Sequence, residues 1–278
     1  MNANSDDRVG GVAVLQAADL GSLFQSLGLP TDSRLNMRVP KKLLAEQGAP
    51  TAADKRIILE GIEELQWFAA CKPTTTGVPS FKDGSREYLE IAVVGGVFRT
   101  GAKAPRLIEL IHRAIPYPVL LITADVNGPA LSLAHKRQAE RESGRTVIDR
   151  VVSTGPISNS AVDQAFLSSL ALVGLPRHNL STLYEGWIVR VEALQAARLA
   201  GVYLATDDLE PVLRRREALE IHSRLTREIA LLRAKASRTK QLKERVDLNL
   251  QIQRLQADLA EQTKHFGEQE DRCPNLKS

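Results

Sequence analysis

A chain of 278 residues with 43% hydrophobic and 25% charged residues is long enough to bury a sizeable core, as one large domain or two modest ones. It has no apolar run near the roughly eighteen residues of a membrane helix, and its acidic, polar first seven residues do not resemble a signal peptide. Cys71 and Cys273 lie far apart, so no disulfide framework is expected and the expected location is the cytoplasm. The net charge of +4 is unevenly spread. Residues 1–208 balance to zero, whereas residues 211–245 carry eleven Lys and Arg against four Asp and Glu. Such a block can build a positive face on a nearly neutral protein.

Residues 1–16 read as a loose tail, and 17–27 as a short helix with Leu20, Leu23, Phe24 and Leu27 on one face and Gly28 as its stop. Pro40 opens a second short helix that ends at Gly48. Thr51 followed by Asp54 starts a longer one, in which Ile58, Ile62, Leu65 and Phe68 or Ala69 follow helical spacing. Residues 72–85, with Pro73, Gly77, Pro79 and Gly84, read as loop. The pattern then changes. Residues 88–94 predict a strand that ends at Gly95-Gly96, Pro105 opens a helix with Leu107, Ile108, Ile111 and Ile115 inward, and residues 118–124 predict a second strand. Asn127-Gly128 marks a hairpin into a strand over 130–136, and 146–153 predicts a fourth. A strand–helix–strand unit favours a right-handed parallel crossover. The fold class is therefore α+β, a mixed sheet with packed helices, over residues 17–155.

Beyond Gly155-Pro156 the chain turns helical, with helices predicted over 160–172 and 181–199 in a region spanning 156–206. Asp207 or Asp208 caps a long helical segment over 209–266, part of an arm spanning 207–266, before a tail over 267–278. In that segment Leu225, Ile229, Leu232 and Ala236 recur at four-three-four spacing, and so do Leu248, Ile252, Leu255 and Leu259. This is a coiled-coil-type stripe in two pieces. With no Gly or Pro between them, one long helix with a wet middle is favoured over a helical hairpin. Neither stripe can bury itself alone, so both are candidate seams for a partner or a second copy.

Several segments occur in an order that resembles the bacterial family known as domain of unknown function 4391: Leu23-Phe24, Gly28-Leu29-Pro30, Arg38-Val39-Pro40-Lys41-Lys42, the Ala114-Ile115-Pro116-Tyr117-Pro118 turn, the strand Leu131-Ser132-Leu133-Ala134-His135-Lys136-Arg137, Leu183-Tyr184-Glu185 with Trp187, and Val246-Asp247-Leu248-Asn249 with Ile252 and Leu255. The resemblance implies an accessory protein encoded beside helicases and DNA methyltransferases in restriction-like, anti-phage gene clusters. It brings no catalytic residue set.

The residues themselves offer a few candidate sites. Pro116-Tyr117-Pro118 reads first as a rigid helix-to-strand connection and second as a recognition surface. His135-Lys136-Arg137, aided by Arg113 and Arg106, forms a candidate phosphate grip. The basic segment with Arg214, Arg215, Arg216, Arg224, Arg227, Arg233, Lys235, Arg238, Lys240, Lys243 and Arg245 is the strongest candidate nucleic-acid or partner face, set against a solvated helix exterior. It lacks the interleaved aromatics that stack single-stranded bases. Asp83, Glu90 and Asp125 are the candidate carboxylates for a divergent metal-dependent nuclease, the competing class, although no lysine follows Glu90 after a one-residue spacer. The five histidines, His112, His135, His178, His222 and His265, show no zinc-type spacing, and no catalytic set, metal or cofactor is expected. The leading expectation is a non-catalytic adaptor binding a helicase and/or methyltransferase subunit, with possible DNA contact and self-association. A purely structural oligomer is a third.

Overall fold

A computed structural model of the chain describes residues 20–138 and 146–270. The expectations for the tail over 1–16, for 17–19 and for Cys273 lie outside the described residues. In chain order the elements are α1 (residues 20–26), β1 (Arg34–Arg38), α2 (Lys41–Gly48), α3 (Ala52–Gly61), β2 (Ile62–Cys71), α4 (Pro73–Thr76), β3 (Phe81–Lys82), β4 (Glu87–Tyr88), β5 (Ile91–Phe98), α5 (Ala104–Ala114), β6 (Val119–Asp125), β7 (Gly128–Gln138), β8 (Thr146–Ser153), α6 (Ala161–Ser168), α7 (Leu180–Ala200), α8 (Leu209–Arg238) and α9 (Leu242–Glu270). The chain divides into two compact units, Met1–Val191 and Glu192–Ser278.

The first unit is built on a six-stranded sheet of order β1-β2-β5-β6-β7-β8. Only β5 and β6 run parallel, joined by the α5 crossover; the other neighbours are antiparallel. Helices α2, α3 and α5 cover one face, where Leu44, Ile58, Leu107, Leu110 and Ile111 pack on Leu65, Val94, Phe98, Val119 and Leu121. Alternate residues of β5, β6 and β7 point to the opposite face, which α7 reaches through Tyr184. Gly48 allows α2 to lie close on α5, since a Cβ there would sit 2.5 Å from the Ala114 Cβ.

Four sequence expectations are corrected here. The helix begun at Thr51, whose hydroxyl does accept from the Asp54 N–H, stops at Gly61, and Ile62–Cys71 is strand β2. Register shifts between Ile62 and Glu64 and between Trp67 and Ala69 interrupt the strict alternation of this strand, so Ile62 and Leu65 share a face at three-residue spacing as they would on a helix. Second, β5 does not end at Gly95-Gly96 but runs through both to Phe98. The Phe68 ring of β2 occupies the space over Gly95, where a Cβ would lie 2.2 Å from it. Third, the loop over 72–85 contains the short helix α4 and strand β3. The hairpin after β6 sits one residue early, with Asp125 paired to Gly128 and its Oδ1 accepting from the Asn127 N–H.

In the second unit the long helical segment is two helices. α8 ends at Arg238, Thr239 takes extended geometry, and α9 begins at Leu242 and packs back on α8. α9 continues through Glu270, into the stretch expected as tail. The favoured single long helix is thus replaced by a helical hairpin. No Gly or Pro is needed, because a three-residue linker that starts with the extended Thr239 suffices. Leu225, Ile229 and Ala236 of α8 are buried with Leu248 and Ile252 of α9, while Leu232, Leu255 and Leu259 are half-buried. The two seams cover each other instead of awaiting an outside partner. Asp208 holds the N-cap position of α8 without a side-chain cap bond.

Candidate functional site

The motif segments at 114–118, 131–137 and 183–187 converge on β7 in the first unit. Ser132 and Lys136 lie on the α5 face. The Lys136 ammonium donates to the carbonyls of Ile115 and of Tyr117, the latter at 2.5 Å. These carbonyls end α5 and form the Pro116-Tyr117-Pro118 turn, where a cation also suits the negative end of the helix dipole. Burial pushes the Lys136 amine down to about 7. His112 of α5 is wholly buried and meets the Ser132 hydroxyl at 3.1 Å through Nε2. Burial, with the neighbouring Lys136 charge, pushes its imidazole down to about 3, so it is neutral at physiological pH.

On the opposite face His135 is held from both sides. Its Nε2 lies 2.6 Å from Glu185 Oε2 and its Nδ1 lies 2.5 Å from the Tyr88 hydroxyl. A carboxylate only accepts, so Nε2 carries the hydrogen and Nδ1 accepts from Tyr88. Burial raises the Tyr88 pKa, which keeps that hydroxyl protonated as the donor. Tyr184, also fully buried, inserts its hydroxyl where β6 and β7 meet: it lies 2.7 Å from the Val119 carbonyl, accepts from the Ala134 N–H at 2.8 Å and lies 3.1 Å from the Ala134 carbonyl. With both nitrogens of His135 engaged and Tyr88 fully buried, the triple Tyr88–His135–Glu185 works as a tie between β4, β7 and α7.

The predicted phosphate grip is therefore not assembled. Lys136 faces inward and is spent on carbonyls, a correction to its expected role at an exposed strand end. Arg137 pairs with Asp149 at 3.0 Å, which Arg86 also meets at 3.1 Å. Arg113 pairs with Glu109 on the exposed side of α5. Arg106 is taken up by Asp54, at 2.8 and 2.9 Å, and by Glu109, and its guanidinium holds the Asp54 carboxyl below the usual range. Tyr88, His112, Ser132, Tyr184 and Glu185 had no assigned role from sequence. The available signal was Ser132 and Lys136, two polar residues four apart in an apolar strand and so on one face.

Within the second unit the basic segment splits into two parts. Arg216 grips the buried Glu192 through Nε and Nη2, the latter at 2.8 Å. Arg215 donates to the Leu204 carbonyl at 3.1 Å, and Arg214 pairs with Glu210 one turn back. Arg215 and Arg216 thus anchor the start of α8, while Arg214 stays exposed and paired within the helix. Arg224 and Arg227 are exposed farther along α8, with Arg227 Nε on the Ser223 carbonyl. The second part surrounds the hairpin turn. Arg233, Lys235, Arg238, Lys240, Lys243 and Arg245 are all exposed, and Glu244, paired with Lys235 at 3.5 Å, is the single acid in that stretch. α9 also carries Leu242, Val246 and Leu250 at four-residue spacing, 67%, 48% and 49% exposed, away from the face that meets α8.

The nuclease carboxylates are dispersed. Asp83 caps its own turn, accepting from the N–H groups of Ser85 and Arg86, and Glu90 pairs with Lys72 at 2.9 Å. Ala92 is paired with Val119 and Val97 with Ala124 in the parallel ladder, so Glu90 and Asp125 lie at opposite ends of it. Among the described residues no three His, Cys, Asp or Glu side chains gather as metal ligands, and no helix is long and apolar enough to cross a membrane. Cys71 is buried, which pushes its thiol up to about 12 and leaves it unreactive.

This is a mixed α+β protein whose characteristic polar residues tie strands to helices and whose helical hairpin presents a cationic tip. The chain belongs to the family described as domain of unknown function DUF4391, whose profile matches residues 27–259. No curated protein and no solved structure matches it.

Proposed function

We propose that the protein is a non-catalytic accessory subunit of a restriction-like or anti-phage system in the cytoplasm. In this reading it contacts nucleic acid through the hairpin tip and holds a helicase-type or methyltransferase partner through its helical region. The observation that carries the reading is the tip itself: six exposed cations and one acid over residues 233–245. Such a cluster neutralises phosphates without reading bases, since no aromatic lies among them to stack. Because the seams of α8 and α9 cover each other, the partner surface moves to the exposed stripe of Leu242, Val246 and Leu250.

The test is binding of the full chain to duplex DNA across a salt series. Binding should weaken steeply with salt, with a log–log slope of about −0.9 for each phosphate neutralised. Reversing Lys240 and Lys243 to Glu should reduce the slope by about two. No binding at low salt, or an unchanged slope, refutes the nucleic-acid contact. Loss of a co-purified partner in Leu242→Asp/Leu250→Asp, with the hairpin still helical, supports the stripe as its seat.

A further inference from the structure

The first unit holds a pocket that neither the tip nor the polar ties explain. It lies between α1 and the part of the sheet formed by β1, β2 and β5, and its volume is about 300 Å³, at the lower end of small-ligand pockets. Its walls bring together three kinds of chemistry. The first is aromatic. Phe24 of α1 and Phe68 of β2 meet with ring centroids 5.2 Å apart, and Gly95 leaves the floor below Phe68 without a side chain. The second is a hydrogen-bonding edge. Glu64 Oε1 accepts from Gln66 Nε2 at 2.8 Å, and among the described residues Oε2 has no partner. The third is a cation. The Arg34 guanidinium lies 5.6 Å from the Phe24 centroid and, among the described residues, pairs with no carboxylate.

The backbone marks the same place. The β1–β2 ladder shifts register between Arg34 and Met37, and Asn36 within that bulge has φ 51, the one described non-glycine residue with positive φ. Such bulges re-aim side chains, and left-handed non-glycine residues concentrate at ligand sites. Here the bulge brings Arg34 and Asn36 to the pocket wall.

We propose that this pocket binds a purine nucleotide. The base would lie against the phenyl rings, its N–H groups would donate to Glu64, a ring nitrogen or carbonyl of the base would accept from the Gln66 or Asn36 amide, and its phosphate would meet Arg34. Flat π-surface, an N–H edge and an anion on one small ligand match the three wall chemistries, and the volume suits a mononucleotide. The same chemistry is offered by a free nucleotide and by the terminal nucleotide of a strand.

The test is calorimetric titration of the full chain with GMP, AMP, inorganic phosphate and a short single-stranded oligonucleotide. The oligonucleotide arm uses the Lys240→Glu/Lys243→Glu background, which weakens the hairpin tip, and oligonucleotide binding is assigned to the pocket only where Arg34→Ala or Glu64→Gln lowers it in that background. Arg34→Ala and Glu64→Gln change exposed side chains, and matched melting curves verify that they fold. Saturable binding that each variant weakens by about tenfold, with no binding of phosphate alone, supports the site. Binding of the mononucleotide identifies the free ligand; binding of the oligonucleotide alone identifies a strand end. Absence of binding by both at about millimolar ligand, or equal affinity in parent and variants, overturns the proposal and leaves the tip reading untouched.

Discussion

Replacing Tyr184 by Phe removes one oxygen from the centre of the first unit and leaves its volume in place. That oxygen accepts from the Ala134 N–H and donates toward the Val119 or Ala134 carbonyl, all buried. Without it a buried N–H and at least one buried carbonyl lose their partner, each at a cost of about 1–3 kcal/mol. Relief from burying the hydroxyl offsets part of this, so the expected net loss is about 2–4 kcal/mol. For a unit of this size each kcal/mol lowers Tm by roughly 2–4 °C, which gives a drop of roughly 4–16 °C. Urea and thermal melts measure the loss, and hydrogen exchange at the Ala134 amide locates it. Tyr88→Phe is the comparison, because its hydroxyl serves His135 and should cost only about 1 kcal/mol. If Tyr184→Phe lost less than about 0.5 kcal/mol and the Ala134 amide stayed protected, the hydroxyl would not be closing the junction of β6 and β7.

Three further outcomes are expected. The folded-state pKa of Lys136 is depressed to about 7, below the ordinary 10.5, so between those values the unfolded chain binds the extra proton and stability rises with pH. Lys136→Met should lose that rise in denaturant midpoints measured from pH 7 to 10, and parallel profiles would refute it. Gly95→Ala places a methyl in the Phe68 ring and should cost about 1–3 kcal/mol; the cost should shrink in a Phe68→Ala background, and an additive double mutant would contradict the packing. Ile229→Asp puts a carboxylate into the hairpin seam and should cost about 2–4 kcal/mol, read as lost helical signal by circular dichroism; full helicity would show that the seam is not closed within the chain.

The starts of α3 and α5 and the hairpin between β6 and β7 were legible because each carried a local device: the Thr51 cap, Pro105 at the start of α5, and the turn before Gly128. β2 was misread because its bulges give Ile62 and Leu65 a helix-like spacing, and tertiary pairing with β1 and β5 decided for the strand. Gly95-Gly96 looked like a stop until Phe68, distant in sequence, supplied the missing bulk. The hairpin of α8 and α9 had no turn residue to announce it. For the site, charge alone misled: Lys136 and Arg216 were counted as surface cations, yet one is consumed by carbonyls and the other by Glu192. The pocket beside α1 was illegible, since its residues come from four separate elements.

β7 is gripped from both faces of the sheet by adjacent residues: His135 toward Tyr88 and Glu185, Lys136 toward the end of α5. Side chains in a strand alternate, so sliding β7 by one position would exchange these faces at once. The imidazole would enter the carbonyl cage and the ammonium would leave it. Tyr184 would lose its backbone mates in the same step. A single-residue insertion or deletion inside β7 is thus expected to be far more damaging than a point substitution there, and the length of this strand, more than any one of its side chains, is what the fold holds fixed.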